Sequence, residues 1–159
     1  MTNHKDDPLQ PHAHEPNPEP PTTDPTITLT LPDGHEQKLT VFDLQKLPQQ
    51  SISDCYIVST GHGTSGPFTF TGPTLCQFIN TFVSEPWTQV EVISADNFGN
   101  RVWRQELEAP YSTRPILLAY KVNGRPLTRQ EGLIRLIVPS ETDDALRQVK
   151  WVQQIRVLP

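Results

Sequence analysis

The sequence predicts a single β-rich α+β domain preceded by a disordered N-terminal tail. Apolar residues recur with a period of two in several short segments, which is typical of half-buried strands. Only one segment shows a clear helical period, and the prolines cluster at the N-terminus. The length of 159 residues suits one ordinary domain better than two.

The predicted tail covers residues 1–25. It holds seven of the 17 prolines and a net charge of −4, with almost no large apolar side chains. Such a segment cannot bury enough apolar surface to offset the entropy lost on ordering, so we expect it to be disordered. Residues 26–159 then form the folded domain, and they carry little of the net acidity.

The first elements after the tail form a hairpin and a short helix. Apolar side chains alternate with threonine over residues 26–31, which predicts a half-buried strand. The turn Pro32-Asp33-Gly34 leads to a predicted partner strand over residues 37–42. Residues 42–47 form a predicted helical turn that Pro48 ends.

A predicted strand over residues 52–59 runs into a glycine-rich loop, and residues 68–72 are predicted to be extended again. The next segment is predicted to be a helix with Pro73 at its first position. Its apolar residues recur at helical spacing and form one face, comprising Leu75, Phe78, Ile79, Phe82 and Val83.

Five more strands are predicted, over residues 89–94, 101–108, 115–122, 135–139 and 150–158. The segment 115–122, PILLAYKV, has no polar alternation, which is typical of a central strand buried on both faces. The prediction totals about eight strands with two or three short helices and no internal repeat.

Composition excludes several classes of function. A net charge of −5 and a pI near 5.5 argue against a general nucleic-acid binder, and no stretch is apolar enough to span a membrane. The first 25 residues show no apolar export segment and no twin arginine, so we predict a cytoplasmic protein; a misassigned start codon would leave export open. Cys55 and Cys76 allow at most one disulfide and no four-cysteine metal site.

Three places carry candidate chemistry. The loop Gly61-His62-Gly63 offers backbone N–H groups and an imidazole to an anionic ligand, or it is a tight loop without function. Arg135 interrupts an apolar strand, where it faces solvent, a partner or a phosphate, and Lys150 presents the same alternatives.

Neither cysteine is predicted to react. Cys55 is expected to be buried and inert in mid-strand. Cys76 is expected to pack, with some thiolate character from its place at a helix start.

Five blocks in order resemble the molybdopterin-binding oxidoreductase domain of the sulfite oxidase superfamily. They are DLQKLP, STGHG, FTFTGPTLCQFI, LLAYKVNGRPLTRQEGLIRLIVP and VKWVQQIRV, and together they cover about residues 26–158. The resemblance implies the sulfite-oxidase-type fold, a mixed α+β domain with a strong β character. It also implies a molybdenum-containing molybdopterin cofactor.

The resemblance implies roles for residues as well. Ser59 stands where the family has its molybdenum-ligating cysteine, so it would be the metal ligand, with Gly61 and His62 beside it in the cofactor site. Arg135 and Lys150 match the family's arginine and lysine that bind the pterin and its phosphate.

Three departures from the family pattern are visible. Serine replaces the cysteine at position 59. Residues 140–144, SETDD, carry three carboxylates where the family has a glycine-bearing phosphate loop, and Glu131 replaces an asparagine or histidine. A carboxylate about 5 Å from a phosphate charge repels it by about 3 kcal/mol, so inward-facing acids would oppose binding.

Two main functions follow as expectations. The first is a molybdopterin-dependent oxidoreductase with a degenerate site, acting on a small oxyanion or oxide beside an electron-transfer protein. The second is a cofactor-free descendant of the fold that binds a small anionic ligand or a protein. A purely structural or interaction protein with a docking tail is a third reading. No haem is expected, because the chain has no CxxCH motif.

Overall fold

The computed structural model describes residues 22–59, 63–108, 115–139 and 148–159, with only the backbone for residues 57–59 and 63–65. Within these ranges the chain forms three helices, α1 (Val41–Gln45), α2 (Leu75–Phe82) and α3 (Arg104–Leu107). The strands in the same ranges are β1 (Ile27–Thr30), β2 (Glu36–Leu39), β3 (Gln50–Ser59), β4 (Gly63–Gly72), β5 (Gln89–Ser94), β6 (Gly99–Trp103), β7 (Leu117–Ala119), β8 (Lys121–Val122), β9 (Arg125–Pro126), β10 (Arg135–Ile137) and β11 (Val152–Leu158). The β-rich α+β class predicted from the sequence is confirmed.

A five-stranded sheet in the order β2-β1-β11-β5-β6 forms one side of the domain. β1 runs parallel to β11, and the other neighbouring pairs are antiparallel. Leu29 lies opposite Ile155, and Ile155 lies opposite Val92. All three are fully buried in the larger hydrophobic cluster. The alternating pattern therefore identified the inward face of this sheet correctly.

A four-stranded sheet in the order β3-β4-β8-β9 lies over a second, smaller cluster. Its main part is the long hairpin of β3 and β4, which pairs Gln50 with Gly72 at one end and Ser59 with Gly63 at the other. Phe70 is its largest fully buried side chain.

A two-stranded sheet of β7 and β10 lies between the two clusters. Leu118 and Leu136 belong to the larger cluster, whereas Leu117, Ala119 and Ile137 belong to the smaller one. Because side chains alternate across a strand, β7 is buried on both faces, as predicted. The prediction of one central strand over residues 115–122 was wrong, since this segment is divided into β7 in the two-stranded sheet and β8 in the four-stranded sheet. Arg135 lies opposite Ala119 and on the same face of β10 as Ile137. Its charged side chain is therefore on the side of the smaller cluster.

Several predicted boundaries were wrong, including the start of β4, which lies at Gly63 inside the predicted glycine-rich loop. The helix predicted to begin at Pro73 begins at Leu75, because Thr74 is its N-cap and accepts a hydrogen bond from Gln77 N. The predicted strand over 101–108 ends at Trp103, where α3 begins. The predicted partner strand over 37–42 ends at Leu39, and Thr40 and Asp43 start α1 through a capping box.

Candidate functional site

Arg135 and Lys150 are brought together by a short antiparallel pairing. Leu136 and Val149 exchange backbone hydrogen bonds of 2.8 and 3.2 Å, and both side chains point into the larger cluster. The residues on either side of this pair therefore face the other way, which places Arg135 opposite Lys150. The structure thus brings together the two residues that were predicted to bind the pterin phosphate.

Gly132 lies between the two cations. A Cβ atom on this residue would lie 3.1 Å from Arg135 Cγ and 3.2 Å from Lys150 Cβ. Its φ of +111° is also a conformation that L side chains rarely adopt. Glycine is thus required here both by the backbone and by the closeness of the two side chains.

Arg135 is buried, with only 5% of its surface exposed, so the solvent-facing alternative considered for it is wrong. Its Nη1 donates a hydrogen bond of 3.2 Å to the main-chain oxygen of Glu131, and its guanidinium lies 5.8 Å from the centroid of the Phe70 ring. Burial lowers the pKa of Arg135 to about 10, because the charged form has lost water. Among the described residues, its Nε has no hydrogen-bond partner.

Lys150 shares this environment. Its ammonium lies 5.2 Å from the centroid of the Trp151 ring. Burial lowers the pKa of Lys150, and the charge of Arg135 lowers it further. Asp96 and Glu131 act in the opposite direction but more weakly. Two neighbouring cations that each lose stability through burial form a place where an anion would be stabilised.

The segment before Arg135 is a tight loop tied to Trp151. The Trp151 indole donates to Arg129 O at 2.6 Å, and the Trp151 amide donates to Gly132 O at 2.9 Å. Leu133 and Trp151 have φ values of +60° and +49°, which are uncommon for residues other than glycine. Strained backbone of this kind persists only where surrounding contacts hold it.

The Glu131 carboxylate is held by Arg125. Both oxygens accept hydrogen bonds from Arg125, at 2.6 and 2.7 Å, and Oε1 also accepts one from Thr128 N at 2.9 Å. The Arg125 guanidinium is the main reason that the pKa of Glu131 falls to about 2. The acidic replacement noted in the sequence is therefore paired with Arg125, although its charge still favours the protonated forms of Arg135 and Lys150.

The remaining predicted site residues are Ser59, Gly61 and His62. Ser59 ends β3 opposite Gly63, and its side chain lies outside the described residues, as do Gly61 and His62 altogether. β4 then continues from Gly63 to Gly72, with register shifts against β3. Residues 140–144 also lie outside the described residues.

The cysteines differ from each other. Cys55 is buried as predicted, and its Sγ donates to Ile52 O at 3.4 Å. Burial raises the pKa of the Cys76 thiol, so the thiolate character expected from the helix start is wrong. The ranges that the structure describes contain no cluster of three or more His, Cys, Asp or Glu residues that could hold a metal.

Sequence reasoning missed three residues around the cations. Gly132 leaves the space that the stems of Arg135 and Lys150 need, the Phe70 ring lies against Arg135, and Arg125 binds Glu131. The sequence signal for Gly132 was its position three residues before the arginine of a predicted strand. The ion pair of Arg125 and Glu131 could not be predicted from hydrophobic periodicity, because it spans a turn.

These residues fit the phosphate end of a pterin cofactor. The buried guanidinium has an Nε without a partner among the described residues, and a phosphate oxygen would accept from it. The aliphatic parts of Arg135 and Lys150 both pack next to Gly132, so the two charged groups belong to one site.

Comparison with known proteins agrees with the resemblance seen in the sequence. The family model described as "Oxidoreductase molybdopterin binding domain" matches residues 14–159. No curated protein matched the chain. Among solved structures, the sulfane dehydrogenase SoxCD from Paracoccus pantotrophus is similar in fold, with 17% identity and a TM-score of 0.63 over 84% of this chain.

The match to SoxCD covers 38% of that protein's chain, so this chain spans well under half of its length. At this identity the likeness concerns the fold, which is the sulfite-oxidase type. Within the described ranges, no helix is long and apolar enough to cross a membrane.

Proposed function

Because the chain belongs to the family of oxidoreductase molybdopterin-binding domains, we propose that it binds a molybdenum–pterin cofactor through the phosphate of the pterin. Arg135 and Lys150 are the residues that hold this phosphate. The observation that carries the proposal is the burial of Arg135 beside a second cation, with its Nε unpartnered within the described ranges.

The energetics favour an anion at this place. Removing a charged group from water costs several kcal/mol unless an opposite charge or good hydrogen bonds replace the solvent. Among the described residues, a hydrogen bond to Glu131 O and a cation–π contact with Phe70 replace part of the water that Arg135 has lost. A phosphate dianion would accept from Nε and from the ammonium of Lys150, and would offset the mutual repulsion of the two cations.

The cofactor, when bound, would supply redox chemistry on a small oxyanion or oxide substrate. The protein's own part at the phosphate end is binding and orientation. Arg135 and Lys150 hold the phosphate, and Phe70 and Trp151 exclude water from beneath the two cations.

At the other end, Ser59 and His62 remain predictions, with Ser59 as the metal ligand and His62 as a hydrogen-bond donor. An electron-transfer protein partner also remains a prediction.

A second function is favoured by the serine at position 59. Without a thiolate at the metal position, the fold would serve as a binding module in which the same two cations hold a small free anion. Serine oxygen is a harder ligand than thiolate and would change the electronics of the metal. The two functions share the anion site and differ in the presence of the pterin.

The test is cofactor content after expression in a host that makes the cofactor. We expect near-stoichiometric molybdenum or tungsten, together with the fluorescent oxidised pterin, in the purified full chain. Arg135→Ala and Lys150→Ala are expected to lower both together. Arg104→Ala and Lys121→Ala are matched controls, since these cations interact with Trp87 and Tyr120 instead.

Equal pterin content in Arg135→Ala and in the wild type would contradict the assignment of the phosphate site. Absence of metal and pterin from the wild type, while a cysteine-bearing relative loads in the same host, would favour the binding module.

A further inference from the structure

Glu131 acts on Arg135 through its main chain as well as through its charge. Its carbonyl oxygen accepts a hydrogen bond of 3.2 Å from Arg135 Nη1. Its carboxylate binds Arg125 with two hydrogen bonds of 2.6 and 2.7 Å. Glu131 thus binds the buried Arg135 through its main-chain oxygen and the exposed Arg125 through its carboxylate.

We propose that Glu131 is a positioning residue for the anion site. Its ion pair with Arg125 holds the main-chain carbonyl that orients the guanidinium of Arg135, so that Nε stays available to the anion. The inference rests on the proposed function, in which Arg135 binds an anion, and it assigns a task to two residues outside that site.

The local hydrogen bonds support this role. Thr128 N donates to the Glu131 carboxylate at 2.9 Å, and Glu131 N donates to Thr128 Oγ1 at 3.2 Å. These reciprocal bonds, together with the Arg125 pair, fix the peptide of residue 131 from both sides. A planar guanidinium bound to a carboxylate through two bonds fixes orientation as well as distance.

The loop needs such fixing because the backbone that follows is strained. Gly132 and Leu133 have φ values of +111° and +60°, and the next residues enter β10. If the ion pair were lost, the strained peptides could relax, and the carbonyl of residue 131 would leave Arg135 Nη1. The buried guanidinium would then turn to another acceptor.

Simple electrostatics and positioning predict opposite signs for one substitution. Removing a carboxylate near two cations should strengthen anion binding if only charge matters, because a repulsive charge disappears. Removing it should weaken anion binding if the carboxylate acts by holding the loop. Glu131→Ala therefore separates the two explanations by the direction of its effect.

The probe is inorganic phosphate, titrated calorimetrically into cofactor-free full chain at pH 7.5, low salt and a temperature well below unfolding. We expect Glu131→Ala to weaken phosphate binding about tenfold, which corresponds to the loss of about one hydrogen bond to a charged group. Glu131→Gln keeps an acceptor for Thr128 N and for one Arg125 donor, so we expect it to stay within about threefold of the wild type.

Arg125→Lys is a second variant that keeps every formal charge but cannot form the two-bond pair. We expect it to weaken phosphate binding about threefold to tenfold. Unchanged affinity in Arg125→Lys, or unchanged or tighter binding in Glu131→Ala, overturns the positioning role. The use of two variants keeps the test decisive if Glu131→Ala does not fold.

A second readout needs no ligand. The Nε–H resonance of Arg135 in a ¹⁵N spectrum, identified by its loss in Arg135→Ala, should be protected from exchange in the wild type and broadened or shifted in Arg125→Lys. If the wild type binds no phosphate, the proposed anion site fails and the inference fails with it. Only the inference fails if three results occur together: the wild type binds phosphate, Arg135→Ala abolishes that binding, and Arg125→Lys changes neither readout.

Discussion

Substitution of Gly132 by alanine tests the geometry of the cation pair most directly. The added methyl would lie 3.1 Å from Arg135 Cγ, 3.2 Å from Lys150 Cβ and 3.3 Å from Lys150 Cγ. These distances are a few tenths of an ångström shorter than ordinary carbon contacts of about 3.5–4.0 Å. Both side chains must therefore move apart, and their charged ends must move with them.

The magnitude has two parts. A positive φ in a residue with a Cβ costs about 1–2 kcal/mol. The crowding adds about 1 kcal/mol, at the lower end of the range for overpacking, because both neighbours are flexible stems rather than backbone. We expect Gly132→Ala to lose about 2–3 kcal/mol of unfolding free energy and to bind phosphate about tenfold more weakly.

Gly124→Ala is the matched control. Gly124 also has a positive φ, of +84°, but no atom lies within 4 Å of its Cβ position. Denaturant unfolding should show a loss of about 1–2 kcal/mol, from the backbone alone. Its phosphate affinity, measured by calorimetry on the folded protein, should equal that of the wild type. Wild-type phosphate affinity in Gly132→Ala would refute the reasoning that this glycine sets the spacing of the cations.

Three further predictions concern other parts of the fold. Gly72→Ala places a methyl 2.2 Å from Leu118 O, so β4 and β7 must separate; we expect a loss above about 3 kcal/mol or no folding, seen by denaturant titration. The pKa of Glu131 is lowered to about 2 from 4.5, so its carboxylate stabilises the fold above pH 4.5, and this contribution is lost as the pH falls towards 2. The difference in urea midpoint between the wild type and Glu131→Gln should accordingly shrink over that interval, and a constant difference would contradict the ion pair. Because burial raises the pKa of Cys76, iodoacetamide at pH 8 should alkylate it more slowly than a free thiol, and Cys55 only after unfolding, as followed by mass spectrometry.

Much of the fold was accessible from the sequence because burial imposes periodicity. Alternation identified β1 and β5, and continuous apolar character identified β7 as buried on both faces. The boundaries that failed depend on hydrogen bonds rather than on periodicity. At α2, for example, the Thr74 side chain accepts from Gln77 N and sets the start of the helix, although Pro73 is an equally suitable first residue by composition.

The site was accessible in part. Alternation showed that the side chains of Arg135 and Lys150 lie on the opposite face from their core neighbours. It could not show which residues cover that opposite face. The covering residue Phe70 comes from the hairpin of β3 and β4, far away in the chain. The role of Glu131 was not predictable either. The sequence shows its carboxylate, but it does not show that Arg125 binds that carboxylate or that the Glu131 main-chain oxygen accepts a hydrogen bond from Arg135.

The parallel pairing of β1 with β11 has a consequence for biosynthesis. Thr28 pairs with Gln154, so β1 gains its central neighbour only after the whole segment between these two strands has been synthesised. Contacts between such distant parts of a chain raise the contact order and slow folding. Val152–Leu158 also separates β1 from β5 in the sheet. The sheet should therefore be completed only after β11 has been synthesised, and Lys150, which lies two residues before that strand, would join Arg135 at the same late stage.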